Sequence, residues 1–204
     1  MPKHDLQPAE LSRPYMARFA APSIGIAFIV GVTLLRYAML AWFSPYALVE
    51  DEAYYWEWAR HLDWSYSTKG PAIAWLIHLT TSIAGDTDLG VRLGAPFFGM
   101  VLAMACMRLA WLITRDGRAA NLAAVIALLV PAFQAVAQFM TIDGPFIACW
   151  AVAAVAAWRA LHERSLLAWV VLGGAIALGF LFKYTMLLIL PGFVLAWWLF
   201  RDRL

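Results

Sequence analysis

Asp51 and Glu52 are adjacent carboxylates, placed where a long apolar run gives way to an aromatic stretch. A helix starting there favours acidic side chains, because its unpaired N–H groups carry partial positive charge. It also favours their ionised form, which suits a general base better than a general acid. Successive helical residues point about 100° apart, so the two carboxylates are expected to do different jobs. The plainer alternative is that Asp51 caps the helix and Glu52 is solvated. Lys69, in Thr68-Lys69-Gly70-Pro71, precedes a second apolar stretch. Gly70 permits close backbone approach and Pro71 suits a first helical turn. Lys69 is therefore either a point charge for a phosphate beside free amides or a lysine reaching for headgroups. Asp143, in Thr141-Ile142-Asp143-Gly144-Pro145, is either a third carboxylate for the same compartment or a turn aspartate. Lys183 separates two closely spaced apolar runs and so lies near membrane depth, where ionisable groups face a cavity or a partner. Arg36, near the end of the first apolar run, can pair with a carboxylate or with a lipid phosphate.

The elements that must position these residues are membrane helices. Hydrophobic residues make up 64% of the 204 positions and charged residues 14%, against about a quarter charged in a soluble domain. Eleven tryptophans and seven tyrosines suit membrane–water boundaries. Apolar runs of spanning length fall at about 23–43, 89–113, 119–139, 145–161, 166–182 and 185–200. The fold class expected is all-α and integral to the membrane, with about six transmembrane helices. Residues 1–22 read as a cytoplasmic segment and 23–204 as the transmembrane module. The first span is read as retained rather than as a removed signal peptide.

Lysine and arginine set the orientation. With the N-terminus inside, the inner segments hold Lys3, Arg13, Arg18, Arg115, Arg118, Arg159, Arg164, Arg201 and Arg203, and the outer ones only Arg60, Lys69, Arg92 and Lys183. Residues of about 44–88 then form one long outer loop, too rich in tyrosine and tryptophan for disorder. A helix over 52–62 should lie along the membrane face. The apolar stretch 71–84, too short to cross, should be a second interfacial or re-entrant helix. Cys106 and Cys149 read as packing residues. His4, His61, His78 and His162 match no metal spacing. No basic run points to nucleic acid.

The string Asp51-Glu52-Ala53-Tyr54-Tyr55-Trp56-Glu57-Trp58-Ala59 resembles the first outer loop of the protein O-mannosyltransferase and aminoarabinose-transferase superfamily. These are membrane glycosyltransferases of the GT-C fold that use polyprenyl-phosphate sugars. Thr68-Lys69-Gly70-Pro71 is similar to the family's Lys-Pro-Pro or His-Pro-Pro segment, with glycine for the first proline. Thr141 to Pro145 is similar to its Thr-Asp-Ala-Pro pattern, with one extra residue, and Phe182-Lys183-Tyr184-Thr185 to its Lys-Tyr segment.

The resemblance implies a GT-C-like N-terminal module in a bacterial inner membrane, with its active loop outside. The implied reaction moves a sugar from a polyprenyl-phosphate carrier to a lipid, glycan or protein acceptor, with inversion. Asp51 would take the acceptor's proton and Lys69 would hold the departing phosphate. Glu52 and Asp143 would orient the acceptor or sugar, and Lys183 would hold the lipid phosphate. Tyr54 and Tyr55 would lie against the carrier and the sugar. No cofactor is required, and a divalent metal stays open. Membrane lipids and a second membrane chain are further candidate partners. Two non-enzymatic readings stand beside this one: a transporter-like protein that binds a ligand on its outer loop, and a truncated scaffold.

Overall fold

The computed structural model describes residues 15–43, 47–67, 69–163 and 165–200. Lys3, Arg13, Thr68, Arg164, Arg201 and Arg203 therefore lie outside the described residues. The described chain is helical, with no strand. Its helices follow in the order α1 (Tyr15–Trp42), α2 (Glu50–Arg60), α3 (Ala72–Ala84), α4 (Asp88–Arg92), α5 (Gly94–Thr114), α6 (Gly117–Leu129), α7 (Pro131–Val136), α8 (Asp143–His162), α9 (Leu166–Phe182) and α10 (Ile189–Phe200). A 3-10 turn, Tyr184–Leu188, joins the last two.

Three segments are long and apolar enough to cross a membrane: Ser23–Trp42, Asp88–Thr114 and Asp143–His162. The other expected spans are shorter. The run 119–139 is two helices, not one. Val130 is extended (φ −60°, ψ 121°) ahead of Pro131, which cannot donate to the helix and pushes its predecessor out of the helical region. The run 185–200 opens with the 3-10 turn and leaves α10 with 12 residues. The outer-loop helices form close to their expected limits, as α2 and α3. At the N-terminal side α1 begins at Tyr15, earlier than the apolar run.

The packing is inverted relative to a water-soluble core. Small residues fill the helix contacts: Ala120, Ala124 and Ala127 on α6, Ala153, Ala156, Ala157 and Ala160 on α8, Ala168 and Ala175 on α9 are all buried. Large apolar side chains such as Leu34, Leu122, Leu166, Val170 and Leu188 point outward. Lipid gives helices no hydrophobic reason to associate, so close approach over small residues carries the association. α8 packs chiefly on α9 and α5, α5 also on α6, and α1 on α6 and α5. Cys106 and Cys149 are free and sit in separate clusters.

α2 and α3 pack on each other, and α3 reaches α4 and α9. Tyr55 and Ala59 of α2 share one apolar cluster with Ile73 and Ile77 of α3, Met140, and Phe182 at the end of α9. The loop-side end of the bundle therefore gathers α2, α3, the start of α8 and the end of α9. The turns at Arg115–Asp116 and His162–Glu163 follow α5 and α8 at their other ends. With Cys106 and Cys149 replaced by alanine, Ser67→Cys should react with an impermeant maleimide on intact cells, and Arg118→Cys only after the membrane is opened. Labelling of both from one side would overturn the N-inside orientation.

Candidate functional site

The first turn of α2 carries Glu50, Asp51 and Glu52. Its N-cap residue, Val49, has no side-chain oxygen with which to cap. Glu52 reaches back instead, its Oε2 accepting from the Val49 N–H at 3.1 Å. The same carboxylate takes Arg92 from α4, with Nε at 2.9 Å from Oε1 and Nη2 at 2.6 Å from Oε2. The Met140 N–H donates to Oε1 at 2.8 Å, and Arg92 Nη2 also donates to the Ala47 carbonyl at 2.9 Å. The Glu52 side chain is 0% exposed and that of Arg92 2%.

Glu52, expected to orient acceptor or sugar, is turned inward in this structure. Its oxygens are engaged by Arg92, Val49 and Met140, and it is closed to solvent. It ties the start of α2 to α4 and to the connection before α8. By sequence Arg92 is merely one more outer cation. The signal that could have found it is an arginine inside an apolar helix, which calls for a partner.

Asp51, one position back and about 100° round the helix, is exposed, and its carboxylate has no hydrogen bond or ion pair among the described residues. One turn further on, Tyr55 is 3% exposed. Its phenol is pushed up to about 12, first by burial and then by the negative charges of Asp51 and Asp143. Asp51 of α2 and Asp143 of α8 thus both act on one hydroxyl, which stays a neutral donor at physiological pH. Tyr54 is half-exposed and packs 4.5 Å from Trp58, which stacks on Tyr66 at 4.5 Å.

Asp143 is the first residue of α8, with Gly144 and Pro145 in the opening turn rather than in a loop. Its Oδ1 accepts from Lys183 Nζ at 2.7 Å, and the ammonium lies 5.4 Å from the Phe146 ring. Both side chains are partly exposed, 34% for Lys183 and 44% for Asp143.

Lys69 is brought to the same end by its backbone. The Tyr184 hydroxyl donates to its carbonyl at 3.2 Å. Next to it, a Cβ on Gly70 would stand 2.0 Å from the Leu181 carbonyl oxygen. Only glycine lets this loop press on the end of α9, the close approach expected of it. Tyr184, the tyrosine of the Lys-Tyr segment, is what links the Lys69 loop to the Lys183 turn.

Arg36 stands apart. It is 6% exposed and donates through Nη2 to Gln134 Oε1 at 2.6 Å, and Gln134 in turn donates to the Leu128 carbonyl. Among the described residues the side chain it meets through Nη2 is an amide rather than a carboxylate. It braces the break between α6 and α7 through a neutral amide.

No group of three or more histidine, cysteine, aspartate or glutamate residues that could hold a metal ion occurs among the described residues.

A sequence profile described as dolichyl-phosphate-mannose-protein mannosyltransferase matches residues 68–204. It takes in Lys69, Asp143 and Lys183 and begins after Asp51. A lipid A galacturonosyltransferase of Rhizobium johnstonii is 29% identical over 177 residues, which is 86% of this chain and 37% of that protein. An undecaprenyl phosphate-alpha-4-amino-4-deoxy-L-arabinose arabinosyl transferase of Serratia proteamaculans is 29% identical over 158 residues, 69% of this chain and 28% of its own. A protein of the same name from Pectobacterium carotovorum is 32% identical over 135 residues, 64% of this chain and 24% of its own. The chain thus spans under two fifths of the length of these relatives. No solved structure matches it.

Glu52→Gln should leave the Arg92 charge buried and unmatched, a loss of about 3–5 kcal/mol for a broken buried pair. It should appear as a lower unfolding midpoint in detergent, with Arg92→Met in the same chain recovering part of it. Tyr55 adds a pH dependence. Its folded pKa, about 12, lies above the ordinary 10.0, so its neutral form stabilises the fold fully below pH 10.0, and that contribution is lost as pH rises through 12. Tyr55→Phe should flatten this alkaline limb of an unfolding-against-pH curve.

Proposed function

This chain belongs to the dolichyl-phosphate-mannose-protein mannosyltransferase family, and on that premise we propose that it forms the front part of a membrane glycosyltransferase. The reaction proposed moves a sugar from a polyprenyl-phosphate carrier to an acceptor hydroxyl at the outer face of a bacterial inner membrane. Two relatives carry undecaprenyl phosphate in their names and a third carries lipid A, which favours a polyprenyl carrier and a lipid acceptor here.

The carrying observation is the division between the two neighbouring carboxylates. Glu52 is locked on Arg92, whereas Asp51 stays exposed beside Tyr55, at the end of the bundle that also holds Asp143, Lys183 and Lys69. In the proposed step the acceptor oxygen attacks the anomeric carbon from the face opposite the phosphate. The bond from that carbon to the phosphate oxygen breaks, and the configuration inverts. The acceptor's proton goes to Asp51, and the charge developing on the departing polyprenyl phosphate is met by Lys69 and Lys183.

Lys183 can serve although it is already paired. Its ammonium has three donors and Asp143 takes one of them. A partly exposed pair is worth only about 0–1 kcal/mol, so the lysine can be drawn toward a phosphate. Asp143 would remain beside Tyr55 to face the sugar or acceptor.

Asp51→Asn keeps size and most of any capping ability, and it removes the proton acceptor. In proteoliposomes with the membrane proteins co-expressed alongside this chain, it should lower turnover of an undecaprenyl-phosphate sugar at least about a hundredfold, with the unfolding midpoint little changed. Full turnover in Asp51→Asn would remove the carboxylate from the chemistry.

A further inference from the structure

On the far flank of α2 and α3 lies a groove of about 240 Å³, lined by Trp56, Arg60, His78, Thr81, Ser82 and Asp86. It contains none of the residues given a part in sugar transfer.

The groove's polar groups can be sorted by whether they offer a proton or a lone pair. The His78 Nδ1 stands 3.0 Å from the Ala59 carbonyl. A carbonyl only accepts, so Nδ1 carries the proton. Thr81 spends its hydroxyl proton on the Ile77 carbonyl at 2.8 Å and Ser82 on that of His78 at 2.7 Å, which leaves both oxygens as acceptors. Asp86 receives the Trp56 indole N–H on Oδ1 and keeps Oδ2 and its charge for something else. The wall is therefore rich in acceptors around a single carboxylate.

One cation completes it. The Arg60 guanidinium lies 5.1 Å from the Trp56 ring centre and makes only a long contact to Glu57, at 3.7 Å. Arg60 and Asp86 both touch Trp56, and they do not pair with each other. Beside His78 and Ser82 on α3, Leu79 is 58% exposed and Ile83 73%. Residues three and four apart are neighbours on a helix surface, so an outward apolar ridge borders the polar groove.

We propose that this groove binds the phosphoethanolamine headgroup of a membrane lipid. The primary ammonium offers three N–H donors to Asp86, Ser82 and Thr81. The phosphate meets Arg60, and the acyl chains run along Leu79 and Ile83. A choline headgroup has the same two charges and no N–H donor, so it would leave these acceptors unmatched. A glycerol headgroup brings no cation to Asp86.

The test is native mass spectrometry of the purified full chain in detergent, with equimolar dioleoyl phosphatidylethanolamine, phosphatidylcholine and phosphatidylglycerol. The ethanolamine lipid should be retained about tenfold over the choline lipid, the scale of one hydrogen bond to a charged group. Asp86→Asn, which still accepts from Trp56, and Arg60→Ala should each bring that ratio down toward one, with helix content by circular dichroism unchanged. Equal retention of the ethanolamine and choline lipids by the native chain, or an undiminished preference in Asp86→Asn, would overturn the proposal. Free O-phosphoethanolamine binding as tightly as the lipid would overturn the assignment to a lipid.

Discussion

Glu52 and Arg92 lie 40 residues apart in the chain and meet at the point where four segments converge. The carboxylate closes the first turn of α2, and the guanidinium belongs to the short helix that leads into α5. Met140 hangs from the carboxylate by its N–H just before α8 begins, and Ala47 from the guanidinium by its carbonyl. Burying two charges costs several kcal/mol per ion, and only good geometry with extra hydrogen bonds offsets it. That requirement makes the pair specific. A charge left without its partner at this depth has no water to turn to, so α2 has one seating on the bundle that satisfies both groups.

This seating fixes the outward face of α2. With Glu52 pointing inward, Asp51 must point away from Arg92, and Tyr55 must enter the cluster formed with Ile73, Met140 and Phe182. The second ion pair at this end is of another kind. Lys183 and Asp143 are each more than a third exposed at the side chain or close to it, and exposed pairs contribute about 0–1 kcal/mol. One pair therefore holds the frame while the other can be exchanged for a ligand at small cost. Their burial tells the two kinds apart.

The parts of the site set by local backbone chemistry were legible in the sequence. The acidic start of α2, the glycine at position 70 and the break between two apolar runs at Lys183 follow from helix ends and from the space a Cβ needs. The parts set by distant partners were not. Glu52 and Asp51 have the same signature in a string of letters, and only Arg92 separates them. Arg36 read as an ion-pair or phosphate ligand because a neutral amide, Gln134, gives no charge signal. The run 119–139 reads as one helix for a related reason. Hydropathy alone carried 119–139 across Pro131, although proline removes a backbone donor whatever the polarity around it.

Two adjacent residues at the end of α9 extend the same logic. Phe182 is buried in the cluster under α2. Lys183 then takes Asp143 by its side chain, and Tyr184 takes the Lys69 loop by that loop's carbonyl. The contact of Gly70 with Leu181 holds the loop against the same helix end from the other side. Both lysines therefore ride on one helix terminus whose position is set by an apolar anchor. A shift of α9 along its axis would move Lys183 directly and Lys69 through Tyr184, while Asp51 would stay where the Glu52–Arg92 pair puts it. The distance between the carboxylate and the two cations is then a single coordinate, the seating of α9 against α2. The small residues that line α9, down to Gly179 packed on Met186 and Cys149, are what hold that coordinate in place.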